Sequence, residues 1–385
     1  MNKSLKKLSG GMATILISAL ALTACGSDSQ DSDSDSSLTT VKIHTEPYYD
    51  YKFFDVAHEL GIDKEFGLNI ETVTSAQQFS YQPLVRGDAD IAASCPTCII
   101  PVLANQPDLK DFMVNQEFRG FVPVGRAENG VGVKKGYDQF LEESNGDEEA
   151  AMTAWVKSLK GSSWAIASAI QAPNMRLMLA KGGLTLDDVK VIDFPNETTS
   201  ALAFINGEGD YYFGSLPQTL RLVTAPELKD NFVTAGTYKL FPPAFGNFAA
   251  TQKWLDENED TALRLWAVWL RAVRYLNEQP DAALGIIAES VKEATGGLFT
   301  PEQTKVALTE FNFYPTVDEV QKTFFDADAP ANYQKANAEV YGAAAASGTI
   351  PESMASGEET EVAQKYWDLL QERQDLLDLI DAPLK

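Results

Sequence analysis

The stretch Ser94-Cys95-Pro96-Thr97-Cys98 holds two of the chain's three cysteines in a C-x-x-C spacing, the pattern of a reactive dithiol. Such a dithiol works best when its first cysteine opens a helix, because the helix N-terminus lowers the thiol pKa. Pro101 argues against that placement. A helix starting at Cys95 would put Pro101 in its second turn, where the missing N–H removes a hydrogen bond and costs about 3 kcal/mol. A helix starting at Pro101 would use the proline where it is favoured, at the first helical position. On this reading Cys95 and Cys98 belong to a loop that borders a binding site, and a thiol-disulfide oxidoreductase is the alternative. A Cys95–Cys98 disulfide is a separate question, favoured by an oxidising compartment.

Other chemistry is thinly supplied. The only histidines are His44 and His58, so a four-ligand metal set would have to come from distant segments, and no metal is expected. His58 fits the exposed side of a helix. No Ser-His-Asp set, Walker loop or GxGxxG run is present, so no catalytic residue and no cofactor is expected. The remaining candidates are ligand-binding groups: Glu46, Tyr48 and Tyr49 in one loop, Gln78 and Phe79 in another, and Ser94, Cys95 and Thr97 in a third. Further along the chain come Ser168 and Gln171, then Asn196, Glu197 and Thr198, then Phe213 and Ser215. Aromatic faces enclose rings or ammonium groups and carboxylates complement cations. An anion would instead use helix N-termini with the Thr97, Ser168 or Thr198 hydroxyls. Loop arginines are scarce, which favours a ring- or amine-bearing solute over a simple oxyanion.

These residues follow a repeated plan of elements. Val41 to Thr45 reads as a strand, Phe53, Val56, Ala57 and Leu60 as a helix face, Leu68 to Val73 as a strand, Tyr81 to Arg86 as a helix and Asp90 to Ala93 as a strand. A second block repeats the order, with strands at Trp164 to Ala167, Val189 to Phe194 and Tyr211 to Phe213, each of the first two followed by a polar loop and a helix. Strand-helix alternation implies parallel sheets with helices on their faces, hence two small α/β lobes. Ligands bind such sheets beyond the carboxyl ends of the strands, which is where the loops 46–52, 75–80, 94–100, 168–174, 195–200 and 213–217 fall. Tyr211 and Phe213 should share one strand face and Tyr212 the other. Later, Leu263, Trp266, Ala267, Leu270 and Val273 form a helical stripe for core packing, with Arg264, Arg271 and Arg274 largely off it and Pro280 closing the element. The segment from Tyr137 to Ala151 reads as a solvated helix or insertion, and Val362 to Ile380 as helix.

The start of the chain sets its address. Lys3, Lys6 and Lys7 precede an apolar run from Met12 to Leu22, too short to span a bilayer, and then Leu22-Thr23-Ala24-Cys25. This is similar to a bacterial lipoprotein signal, with 1–24 as signal peptide, Cys25 as the lipidated residue and 25–40 as a Ser/Asp tether that cannot bury a core. The formal net charge is −24, and loss of a leader with three lysines and no acid makes it more negative. Nucleic acid and anionic lipid are therefore poor partners for such a surface, and no nucleic-acid partner is expected.

Five runs in order, GIDKEFGLNIETV, LVRGDADIA, LKGSSWAIAS, GGLTLDDVKVIDF and ALAFINGEGDYY, resemble the signatures of nitrate/sulfonate/taurine-type substrate-binding proteins of ABC importers, a family that includes binders of thiamine pyrimidine precursors. The resemblance implies a type II periplasmic-binding-protein fold: two α/β lobes joined by a two-strand hinge, with crossings near Phe118 to Gly125 and Thr234 to Asn247. Lobe 1 would be 41–121 and 236–385, lobe 2 122–235. In that family a Trp-acid-Pro run often follows the lobe-two strand; here those positions are Ser215, Leu216 and Pro217, which weakens a direct transfer of a sulfonate pocket. The implied function is capture of a small organic solute by hinge closure. The implied partners are a membrane permease and its ATPase, with the membrane met only through the lipid anchor, and the implied form is an extracytoplasmic monomer. A sulfonate, taurine or nitrate binder is the alternative.

Overall fold

The structure is a computed structural model that describes residues 38–74, 81–127, 136–295 and 299–384. The leader, Cys25, most of the tether, and the candidates Gln78 and Phe79 lie outside the described residues.

Among the described residues eleven strands form two sheets. They are β1 (Thr39–Thr45), β2 (Leu68–Thr74), β3 (Ile91–Ser94), β4 (Leu109–Phe118), β5 (Val124–Arg126), β6 (Ser163–Ile166), β7 (Lys190–Asp193), β8 (Tyr211–Tyr212), β9 (Phe232–Thr234), β10 (Ala244–Thr251) and β11 (Asn312–Phe313). The six-stranded sheet has the order β11-β4-β10-β3-β1-β2 and the five-stranded sheet β7-β6-β8-β5-β9. In the first, β1 runs parallel to β2 and β3, and β10 antiparallel to β3 and β4. In the second, β6 runs parallel to β7 and β8, and β5 antiparallel to β8 and β9.

The antiparallel strands decide how the sheets are joined. Because β10 reverses between β3 and β4, β4 ends and β10 begins at the edge where β1 and β3 have their carboxyl ends. By the same logic β5 begins and β9 ends at the carboxyl edge of β6 and β8. Both connections, 119–123 and 235–243, therefore run from one carboxyl edge to the other. They are tied to each other by the Ala235 N–H donating to the Pro123 carbonyl at 2.8 Å.

Side-chain alternation divides the cores as the strand pattern requires. Tyr211 and Phe213 enter one apolar cluster with Trp155 and Trp164, while Tyr212 enters another with Phe204 and Phe232. The helix Glu259–Glu278 packs on the larger sheet, and its Trp266 indole N–H donates to the Phe112 carbonyl at 3.0 Å. Arg271, read as lying largely off the apolar stripe, does not reach solvent. It is buried, ion-paired to Glu65 at 3.1 Å, and donates to the carbonyls of Leu379, Ala382 and Pro383. The C-terminal helices cover the stripe's flank, so a cation falling off the apolar arc caps them instead of meeting water. The expected helix from Val362 to Ile380 is two, Ala363–Gln371 and Gln374–Asp381. The Tyr137 segment forms Tyr137–Glu143 and Glu148–Ser158, the latter capped by Asp147 accepting from the Ala150 N–H at 3.0 Å.

The helix after β3 corrects the sequence reading. It spans Pro96–Leu103 with Cys95 as its N-cap, so Pro101 lies inside it. Two prolines competed for the first helical position and Pro96 takes it. Pro101 then forfeits one hydrogen bond late in a short helix that ends at Leu103.

Candidate functional site

The carboxyl edges of both sheets lead into helix N-termini. β3 feeds Pro96–Leu103, β6 feeds Ser168–Ala180, β7 feeds Glu197–Ile205 and β8 feeds Leu216–Thr224. The two connections join these same edges, and the candidate residues lie on the loops and helix starts that follow the strands of each sheet.

On the larger sheet, Glu46 is fully buried at the end of β1. Its charge, with those of Asp55 and Asp50, supports the Lys52 ammonium, whose pKa burial pulls down. Lys52 donates to Thr45 Oγ1 at 3.1 Å and Thr74 Oγ1 at 2.6 Å and lies 3.6 Å from Asp55. Tyr48 is half-buried, whereas Tyr49 turns into the core and meets Phe299 edge-on at 5.9 Å. Ser94 is fully buried as a joint: its carbonyl accepts from Tyr51 OH at 2.7 Å and its hydroxyl pairs with Tyr81 OH at 2.9 Å. Cys95 is half-buried and disulfide-bonded to Cys98 across a Cα separation of 4.9 Å, with exposed Thr97 Oγ1 at 3.3 Å from Cys95 Sγ.

On the smaller sheet three helix starts are linked. Buried Gln171 donates to Glu197 Oε1 at 2.5 Å, and Gln218 donates to Thr198 Oγ1 at 3.4 Å. Asn196 caps its helix by accepting from the Thr199 N–H at 2.9 Å. The Ser168 N–H donates to Asp193 Oδ1 at 2.9 Å, which holds the Asp193 carboxyl below its usual range. Ser215 sits half-buried at the N-cap position of Leu216–Thr224 without a side-chain capping bond, and buried Phe213 stacks on Phe241 with centroids 5.3 Å apart and planes at 7°. Thus Gln171, Glu197, Thr198 and Gln218 are linked along the rim of helix starts of the smaller sheet, while Tyr49 and Ser94 are held among larger-sheet groups and Phe213 packs in the core of the smaller sheet.

Several polar groups were missed by sequence reasoning. Between Gly246 and Asn247 the β4–β10 register slips by one residue, so Asn115 bulges beside Gln116. Asn115 Nδ2 donates to the Asp50 carbonyl at 3.3 Å and Gln116 Nε2 to Asp50 Oδ2 at 2.9 Å, fixing the loop after β1. Burial pushes the Asp50 carboxyl up to about 6. The signal was the polar pair Asn115-Gln116 directly after the apolar run Phe112-Met113-Val114. Asp193 was missed because its capping partner is far away in sequence.

Among the described residues no group of three or more His, Cys, Asp or Glu side chains is placed to hold a metal ion, and no helix is long and apolar enough to cross a membrane.

With this geometry in hand, the profile of the NMT1-like family matches residues 34–291, well over half of the chain. The chain belongs to the NMT1-like family. Among solved structures, this NMT1-like protein is similar to the periplasmic aliphatic sulphonate-binding protein of Escherichia coli, with 14% identity, TM-score 0.59, and 86% of this chain and 98% of the other covered. It is also similar to the periplasmic nitrate-binding protein of Synechocystis PCC 6803, at 17%, 0.52, 90% and 92%. For the alkanesulfonate-binding protein of Xanthomonas axonopodis pv. citri bound to MOPS the values are 13%, 0.51, 84% and 98%. Comparison with curated protein sequences gives no significant match. The likeness establishes the fold: this NMT1-like chain has the type II periplasmic-binding-protein architecture expected from its sequence.

Proposed function

We propose that the protein is the extracytoplasmic solute-binding component of an ABC importer, a monomer anchored through lipidated Cys25 and delivering its cargo to a membrane permease and ATPase. Lobe 1 comprises 41–121 and 236–385, lobe 2 comprises 122–235, and the solute binds between their carboxyl edges. A solute touching both lobes binds the closed state better than the open one, and that difference drives closure. The reading is of a binding protein, not an enzyme.

The observation that carries the solute class is the occupancy of two helix starts by the protein's own acids. Asp193 already takes the Ser168 N–H, and Glu197 sits in the first turn of its own helix. An incoming anion would face carboxylates where it needs donors, while an amine or an N–H-bearing ring would find acceptors. The solute is therefore a small organic molecule with an amine or a nitrogen ring. A sulfonate or nitrate ligand is the second reading, favoured by the absence of acids from the first turns of Pro96–Leu103 and Leu216–Thr224 and by what the sulphonate- and nitrate-binding proteins are named for. A thermal-shift panel of amines, nitrogen heterocycles, taurine and nitrate separates them. Stabilisation by an amine or heterocycle supports the first; stabilisation by taurine or nitrate alone rejects it.

The Cys95–Cys98 pair is read as a brace of the loop. Its helix-start position is the one an oxidoreductase would use, so the alternative is tested directly: Cys95→Ser with Cys98→Ser should leave solute binding in place, whereas a thiol-disulfide enzyme would lose all activity.

A further inference from the structure

Behind the Cys95 turn, on the larger sheet, two carboxylates meet in the interior. Asp111 of β4 and Glu361 lie in adjacent backbone segments: the Asp111 N–H donates to the Thr360 carbonyl and the Val362 N–H to the Asp111 carbonyl, both at 2.9 Å. Asp111 is fully buried, and its Oδ2 accepts from Asn247 Nδ2 at 2.9 Å. Glu361 accepts from the same Asn247 nitrogen at 3.3 Å, from Tyr341 OH at 2.7 Å and from Tyr333 OH. The titratable groups facing the pair are Tyr333 and Tyr341 from the helix Tyr333–Ala346, and Tyr51 and Tyr81 from the far side of Ser94. β10 supplies only the Asn247 amide and β3 only the Ser94 hydroxyl. Among the described residues no lysine, arginine or histidine pairs with either carboxylate.

Two adjacent carboxylates in a buried, cation-free site cannot both ionise without a large cost, so the pair keeps one proton between them. We propose that Asp111 and Glu361 form a proton-binding lock that fastens residues Thr360–Val362 to β4 and, through Ser94 and Tyr81, steadies the Cys95 turn of the solute site. The lock does two things. It docks the C-terminal segment by a proton where other proteins use a cation. It also joins that dock to the solute-binding loop through Asn247, whose amide donates to both carboxylates and which sits opposite Ser94 in the β3–β10 ladder, with the Ser94 hydroxyl meeting Tyr81 OH. Burial raises both carboxyl pKa values, Asp111 to about 6 and Glu361 well above the ordinary range. A raised carboxyl pKa contributes stability that is complete at low pH and is lost as pH rises through the folded-state value, so the lock is closed in acid and opens in alkali.

The regulatory half of this inference rests on the solute-receptor reading, but its test uses no solute, so either can fail alone. Amide hydrogen exchange, corrected for the intrinsic pH dependence, is followed at 360–362 and 97–103 from about pH 5 to about pH 9 in the wild type and in Glu361→Gln. In the wild type, protection at both segments should fall by about tenfold or more. In Glu361→Gln an amide N–H replaces the shared proton and protection should not vary with pH. Asp111→Asn, which offers the same exchange from the other side, should behave alike and guards against one variant failing to fold. Constant protection in the wild type, or an unchanged pH dependence in both variants, overturns the lock. Loss of protection at 360–362 alone overturns its link to the site.

Discussion

Gly246 lies where the Asn115 and Gln116 amides close over the loop after β1. A Cβ at that position would stand 2.6 Å from Asn115 Oδ1 and 2.7 Å from Gln116 Nε2, so the amides would have to leave Asp50. Gly246→Ala is expected to destabilise by roughly 1–3 kcal/mol, read by urea unfolding, while Gly285→Ala, with open space around its Cβ, should show no such loss. Asp50 itself titrates with its burial. Its pKa is raised to about 6, so its stabilising contribution is present in acid and fades as pH climbs through that value. Asp50→Asn should flatten the decline of unfolding free energy between about pH 3 and pH 7 by up to roughly 3 kcal/mol. The disulfide closes a very short ring, which limits its effect on the unfolded chain to roughly 2 kcal/mol, and the double serine variant should melt lower by no more than that allows. At this scale the sequence was readable where chemistry is local. The C-x-x-C could be seen, whereas the capping role of Asn196, read as a ligand group, and the meeting of Asp111 with Glu361, 250 positions apart, could not.

Among the elements, the hinge is the most telling. An aromatic series runs along the two connections: Phe118 meets Phe121 at 5.1 Å, Phe121 meets Phe241 at 5.9 Å, and Phe241 stacks on Phe213 at the rim of the smaller sheet. Arg119 pins the first connection, pairing with Glu117 at 2.7 Å and lying over the rings of Tyr238 and Phe313 at 5.1 and 4.7 Å. Truncating the shared ring in Phe241→Ala removes both of its contacts and is expected to cost about 3–5 kcal/mol in urea unfolding. A loss under 1 kcal/mol would mean the series is not packed as described. The strand-helix alternation was legible because buried strands and amphipathic helices impose their own periods, whereas the antiparallel strands that make both sheets mixed were not read from those periods. The start of the Pro96 helix was not, since two prolines satisfied the same local rule and only the packing of Ile99 and Leu103 beneath the sheet selected one. Arg271 shows the same limit: a stripe predicts which side faces the sheet, but not that other helices will cover the opposite side.

For the whole molecule, the resemblance read from five short runs carried the fold, since a two-sheet architecture with paired crossings is a property of element order more than of any residue. The identity of the cargo was less legible, because the proposed site draws on six loops far apart in sequence, one of which, 75–80, lies outside the described residues. What the molecule adds to the sequence is an electrostatic sense: acids already complement the helix starts at Ser168 and Glu197. The central claim is that a single small solute is held between the carboxyl edges by that rim. Native mass spectrometry of freshly purified protein, with and without a panel of amines, nitrogen heterocycles, taurine and nitrate, tests it most directly. The account predicts one bound small molecule per chain, carrying a basic or ring nitrogen, with occupancy strongly reduced in Glu197→Ala. A chain that stays bare throughout, or that takes up taurine or nitrate alone, contradicts it.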